Sequence, residues 1–167
     1  DTLKTKNVDW VIKAFKEYSG SNNVELQIIG DAIERNELIE LANNDNRIKF
    51  YGRIPRQQVL NLLRESDIFA LPSSRETFGL VYLEAAATKN AIIGFKDEGV
   101  WGVFKDEEEM LFCEDLEEFK KSLFILIERA DLREKLVENI INRSRMFEWT
   151  QVINQYLHIY NSSVVKG

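Results

Sequence analysis

Two carboxylates, Glu76 and Glu84, flank the pair Phe78-Gly79 in the stretch PSSRETFGLVYLEAAATKNAIIG, with seven residues between them. The stretch reads as a strand-to-helix junction, because Pro72 stops one element and a helical pattern opens near Phe78, Gly79 and Leu80. The first N–H groups of a helix have no intrahelical partners and lie at the positive end of its dipole, so a phosphate sits well there. Gly79 lets a ligand approach the backbone closely. Glu84, in the second helical turn, is placed to accept hydrogen bonds from a vicinal diol such as that of ribose. Glu76, in the loop, reaches a different set of hydroxyls. The set fits a sugar-nucleotide: one acid for ribose, amides for the diphosphate, another acid for the sugar. A plainer reading stands beside it, in which Glu76 offsets the helix dipole and Glu84 is simply solvated.

The elements that must position these residues follow from the apolar pattern. Buried-strand runs VELQIIG (24–30), RIKFYG (47–52), DIFALP (67–72) and NAIIGF (90–95) alternate with helical patterns, and EMLFC (109–113) reads as a short fifth strand. A helix over 7–20 precedes them, with Val8, Val11, Ile12, Ala14 and Phe15 inward. DAIERNELIELANND (31–45) starts near Asp31, with Leu38, Ile39 and Leu41 apolar. IPRQQVLNLLRES (54–66) opens near Pro55 and turns Val59, Leu60, Leu62 and Leu63 inward. Three more helical segments close the chain, over 114–130, 131–147 and 149–163.

Repeated strand–helix–strand units predict an α/β fold, a Rossmann-like open parallel sheet with helices on both faces. Ligands of such sheets bind beyond the carboxyl ends of the strands, so the loops beginning at Gly30, Gly52, Pro72 and Gly94 are the places to look.

Composition narrows the classes. The 167 residues are 44% hydrophobic and 30% charged, which suits one globular domain with a real core. The net charge of −6 argues against a non-specific nucleic-acid binder. No apolar run approaches the roughly 20 residues that span a bilayer. The single cysteine, Cys113, reads as a small buried hydrophobe in a reducing compartment. The single histidine, His158, has no second ligand at metal spacing and reads as a helix-face residue.

PSSRETFGLVYLEAAA resembles the signature of retaining GT-B glycosyltransferases of family 4, the group 1 glycosyltransferases. VELQIIGDA, RIKFYGRIPRQQVLNLLRESDIFALPS, FEWTQVINQYLHIY and KNVDWVIKAF resemble further segments of that family, in family order. The resemblance implies a single donor-binding Rossmann-like domain over 1–167, its C-terminal helices within 115–163, as the C-terminal half of a GT-B fold. The acceptor-binding N-terminal domain is expected to be absent from this chain. It implies a hexosyl-type transferase using a nucleotide-diphosphate sugar, with no metal or other cofactor, acting on a saccharide or lipid-linked glycan in polysaccharide biosynthesis. The fragment alone is expected to be inactive. A cytoplasmic location follows, with peripheral attachment at the inner membrane face open to the full enzyme.

By the same resemblance Glu84 binds the ribose, Glu76 contacts the sugar hydroxyls, and the Phe78, Gly79 and Leu80 backbone lies against sugar and phosphate. Lys6 matches the lysine that neutralises the diphosphate, so Glu76 and Lys6 are the expected catalytic pair. Lys4 is a weak substitute for an arginine that usually precedes that lysine. The base rests against the loop after Gly52, which makes Arg53 and Ile54 candidates, and Thr77, Gly30 and Gly99 complete the donor set. Several positions depart from the family. Thr77 stands where glycine is frequent, Lys89 and Ala91 replace a Gly and a Pro, and Gly102 occupies the place of a glutamate that faces the donor sugar. Two other readings remain: a nucleotide-binding or scaffolding module without transfer activity, and a flavodoxin-like regulatory domain.

Overall fold

The computed structural model of the chain describes residues 6–21, 23–31, 34–77 and 79–145. Its elements run α1 (Val8–Glu17), β1 (Leu26–Ile29), α2 (Arg35–Ala42), β2 (Ile48–Gly52), α3 (Arg56–Glu65), β3 (Ile68–Ala70), α4 (Leu80–Ala87), β4 (Ala91–Phe95), β5 (Leu111–Cys113), α5 (Leu116–Glu128) and α6 (Ala130–Ser144). All the strand pairs are parallel, as the alternation with helices requires. They hydrogen-bond as two sheets, β1-β2 and β3-β4-β5, and not as one continuous ladder. Val24 and Leu26 nevertheless pack against the same cluster as Ile68 and Ala70, so the two sheets share a core.

The two-residue period of the strands decides which helix layer each side chain meets. Ala91 and Ile93 of β4, with Leu111 and Cys113 of β5, join the cluster built by α1 and α5. Ile92 and Phe112, one residue out of phase, join Tyr82, Ala85 and Ala86 of α4 and Ile140 of α6 on the other face. Both faces of the sheet are therefore covered, which explains why β4 is an uninterrupted apolar run. A third cluster closes α1 and α2 over β1 and β2 through Ile12, Phe15, Leu38, Ala42 and Ile48. Cys113 is buried, donates to the Gly94 carbonyl at 3.3 Å, and has its thiol pushed up to about 12, chiefly by burial.

Element existence follows the sequence reading, and boundaries move. Helix α2 begins at Arg35 and not near Asp31, because its first buried position, Leu38, needs only one turn ahead of it. Ile39 faces outward at 36% exposure. Helix α4 begins at Leu80. The fourth loop starts after Phe95, since Gly94 lies inside β4 opposite Phe112. A Cβ at Gly94 would stand 2.8 Å from Met110 Cε, so that glycine serves packing. Lys4, Phe78, His158 and the 149–163 segment lie outside the described residues.

The end of α4 shows what the Gly-to-Lys departure means. Lys89 takes the left-handed conformation at φ 67°. Its N–H donates to Ala86 O at 3.1 Å and the Asn90 N–H to Ala85 O at 3.0 Å, a complete Schellman ending with lysine where glycine is favoured. Asn90 is fully buried. Its Nδ2 donates to Leu63 O and Ser66 O at 2.9 and 2.6 Å, and its Oδ1 accepts from the Thr88 hydroxyl, which locks α4 to the end of α3.

Candidate functional site

The loops that leave the carboxyl ends of the strands hold nearly all the expected site residues, and hydrogen bonds tie several of them together. Following β3, Leu71 O accepts from the buried Tyr82 hydroxyl at 2.7 Å, and Pro72 O accepts from Asn7 Nδ2 at 2.8 Å. The Asn7 bond crosses 65 residues of sequence and fastens the start of α1 to this loop. Lys6 is its chain neighbour and is thereby brought to the same edge. No carboxylate among the described residues pairs with Lys6.

Glu76 is held more firmly than a loop carboxylate needs to be for solubility. Its carbonyl accepts from Gly99 N at 2.8 Å, and its own N–H donates to Glu98 Oε2 at 3.1 Å. Its aliphatic stem lies against two glycines. A Cβ on Gly79 would stand 3.0 Å from Glu76 Cγ and 2.6 Å from the Tyr82 ring, and one on Gly99 would stand 3.2 Å from Glu76 Cγ. Both glycines also have positive φ, 72° and 58°. Gly79 and Gly99 are thus required twice over, by conformation and by space. Burial, with the Glu76, Cys113 and Glu98 charges behind it, pushes the Tyr82 phenol well above its ordinary range. Its hydroxyl stays protonated and a donor.

Gly79 is the N-cap of α4 and offers no side-chain acceptor, so the amides of the first turn are not capped from within. The Tyr82 amide turns back to Gly79 O at 2.9 Å, which leaves the Leu80 and Val81 amides without an acceptor among the described residues; Leu80 is one of the three donors the sequence suggested, and Val81 is added to it. Leu80 stands out at 70% exposure. Thr77 is exposed in the same loop, as is Arg75.

Glu84 lies one turn on, with 25% of its side chain exposed, and pairs with Arg56 Nη2 at 2.5 Å. Arg56 opens α3 and keeps 78% of its side chain exposed, so the pair is a surface ion pair that can be rearranged at small cost, about 1 kcal/mol or less. Arg53 and Ile54 precede Arg56 in the same loop, the first exposed and the second half-buried. The Gly30 amide donates to Gly52 O at 2.8 Å, and neither glycine has anything within 4 Å of where a Cβ would point. A β-bulge at the end of β1-β2 leaves Tyr51 exposed beside them. Gly102 is exposed with φ 77° and open space around it, a conformation that disfavours a glutamate.

Sequence reasoning missed four residues of this site: Asn7, Arg56, Tyr82 and Glu98. Each acts through a partner far away in the chain, so local pattern carried little signal. The turn Asp97-Glu98-Gly99 directly after a strand was the one visible clue. Among the described residues no three His, Cys, Asp or Glu side chains converge as a metal-binding group. No helix among them is long and apolar enough to cross a membrane.

A family model for "Glycosyl transferases group 1" matches residues 2–143. N-acetyl-alpha-D-glucosaminyl L-malate synthase of Bacillus anthracis is 29% identical over 163 residues, 94% of this chain and 42% of that protein. D-inositol 3-phosphate glycosyltransferase of Corynebacterium efficiens is 28% identical over 131 residues, 77% of this chain and 31% of the relative. The chain thus spans less than half the length of these curated relatives. Among solved structures, the C-terminal domain of the group 1 glycosyl transferase LpcC of Francisella tularensis superposes with a TM-score of 0.74 at 27% identity, over 86% of this chain and 80% of that one. Anabaena HepE, in complex with UDP-glucose, superposes at 0.79 with 20% identity over 96% of this chain and 46% of that one, a likeness of fold.

Proposed function

The chain belongs to the group 1 glycosyltransferases, and from that membership we propose that it is the donor-binding half of a retaining enzyme that transfers a sugar from a nucleotide-diphosphate sugar. The observation that carries the reading is the seating of Glu76: two backbone-directed hydrogen bonds and two crowded glycines hold it beside the open first turn of α4. A carboxylate in a merely soluble loop has no need of such a seat.

On this reading the diphosphate lies on the Leu80 and Val81 amides with Lys6 opposite, and the sugar lies over Glu76, Thr77, Phe78, Gly79 and Gly99. Glu84 receives the ribose diol on its free oxygen or by displacing Arg56. The base rests on the open side, toward Arg53, Ile54 and Gly30. The chemistry asked of these residues is stabilisation of the negative charge that grows on the departing diphosphate, by fixed dipoles and one cation. Departure with retention lets that phosphate help deprotonate the acceptor on the same face, so no side-chain base or metal ion is needed from this half. The acceptor, a saccharide or a lipid-linked glycan, is held by a separate domain. This chain alone binds donor without transferring it. The likeness to a UDP-glucose complex supports the donor class.

A binding screen of the chain against UDP, GDP, ADP and their sugars tests the reading. At least one nucleoside diphosphate should bind, and Lys6→Ala should weaken it about tenfold, in line with a charge-assisted bond of about 1.5–3 kcal/mol, while leaving the bare nucleoside unaffected. Binding of none, or equal weakening of nucleoside and diphosphate, would contradict it.

A further inference from the structure

The loop after β4 carries carboxylates that the functional reading does not use, and one of them, Glu98, reaches the β3–α4 loop. Glu98 lies between two residues with left-handed backbone, Asp97 at φ 61° and Gly99 at φ 58°. Aspartate and glycine are among the residues that enter this region most readily, and the Glu98 side chain between them reaches back to the β3–α4 loop. The carboxylate accepts the Glu76 N–H at 3.1 Å, while the next residue donates its own N–H to Glu76 O at 2.8 Å. Donor and acceptor of one peptide residue are thus both taken by two consecutive residues of a second loop. Glu98 is half-buried and forms no salt bridge with a lysine or arginine among the described residues.

We infer that Glu98 is a positioning and specificity residue: it clasps Glu76 by its amide and adds a second negative charge at the sugar end of the donor site. This rests on the donor-site reading above. Two consequences follow from the chemistry. A carboxylate makes a stronger acceptor for the amide than a neutral oxygen does, so the Glu76 loop keeps one conformation before any ligand arrives. A pair of negative charges beside a desolvated sugar penalises any donor whose sugar is itself anionic, because like charges at short range in a partly buried site repel strongly. The site is therefore built for neutral or amino hexoses and against uronic-acid sugars.

Calorimetry on the chain decides it, with three ligands sharing one base, chosen as whichever nucleoside diphosphate binds the unmodified protein: the bare diphosphate, its glucose conjugate and its glucuronate conjugate. The unmodified chain should prefer glucose over glucuronate by tenfold or more. Glu98→Gln keeps an acceptor for the Glu76 amide and removes the charge, so it should narrow that preference several-fold with little change for the glucose donor. Glu98→Ala removes the clasp as well and should weaken the glucose donor about fivefold, with the bare diphosphate unchanged. An unaltered preference in Glu98→Gln, or equal weakening of all three ligands in Glu98→Ala, would overturn the role of Glu98 and leave the donor site standing. Absence of any diphosphate binding by the unmodified chain would instead sink the donor site and this role together.

Discussion

The carboxyl ends of the two sheets are finished in different ways. Beyond β3 and β4 the loops are bolted: Tyr82 to Leu71, Asn7 to Pro72, and Gly99 and Glu98 to Glu76, while at the opposite, amino end of β4 Asn90 is bonded to the end of α3. Beyond β1 and β2 the described residues carry one such tie, the Gly30 amide to Gly52 O at 2.8 Å, with open space where a Cβ would point at either glycine and Arg53 exposed. The strands beneath differ in the same sense. β4 is buried through four of its five residues, whereas β1 is only half-buried along its length. On the proposed donor-site reading, the difference bears on where ligand selection is stored. A pre-formed half can discriminate among sugars by rigid placement of charge, while an open half can receive a base with few fixed contacts.

The most disruptive way to test the bolted half is at its foundation. Asn90→Ala strips the part-buried Ser66 carbonyl of its Asn90 bond and leaves the buried Leu63 carbonyl with the Ser66 N–H alone, at 3.3 Å, so with about 1–3 kcal/mol for a lost buried partner urea denaturation should show a loss of about 2–3 kcal/mol. The next test compares two glycines of the same backbone sign. Gly79→Ala meets both left-handed strain of about 1–2 kcal/mol and a clash with the Tyr82 ring, which adds about 1–3 kcal/mol. Gly52→Ala, at φ 65° with nothing within 4 Å, should lose only the strain. Equal losses at the two positions would erase the distinction between the halves.

A change in the opposite direction follows from the α4 ending. Lys89→Gly removes the left-handed penalty at a Schellman C′ position, and should raise stability by about 0.5–1 kcal/mol in the same assay. The smallest effect lies in the open half. The Arg47 guanidinium and backbone N–H beside Asp45 hold its carboxyl at about 2, below the usual carboxylate range. A lowered pKa stabilises the fold above about pH 4, and that contribution is lost as pH falls through about 2. Asp45→Asn should therefore flatten the stability slope between pH 4 and 2 slightly, because the pair is near solvent, and leave it unchanged at neutral pH.

How much of this was legible in the sequence depends on the range of the interaction. The order of helices and strands came directly from apolar periodicity, since the same alternation that patterns β4 sends Ile92 to one helix layer and Ile93 to the other. The positions of Glu76, Gly79 and Glu84 around a strand-to-helix junction were readable for the same reason. The start of α3 at Pro55 was legible too, but those of α2 and α4 were not, because Gly79 at φ 72° and the late first buried residue of α2 shift them. The bonds that finish the site join residues 28 and 65 apart, Arg56 to Glu84 and Asn7 to Pro72, and no local pattern announces them. The loss of a glutamate at Gly102 was visible, but the bond by which Glu98, on the same loop, holds the Glu76 N–H was not.

The central claim is that Glu84 and Glu76 serve different parts of one donor, and calorimetry on Glu84→Gln and Glu76→Gln tests it most directly. Each substitution keeps size and removes the charge that strengthens a hydroxyl bond. Glu84→Gln should weaken the bare nucleoside diphosphate and the full sugar donor alike, by about tenfold for a bond of about 1.5–3 kcal/mol. Glu76→Gln should leave the bare diphosphate nearly untouched and weaken only the sugar donor. Identical profiles for the two variants, or no effect from either, would contradict the account and return both glutamates to helix and loop chemistry.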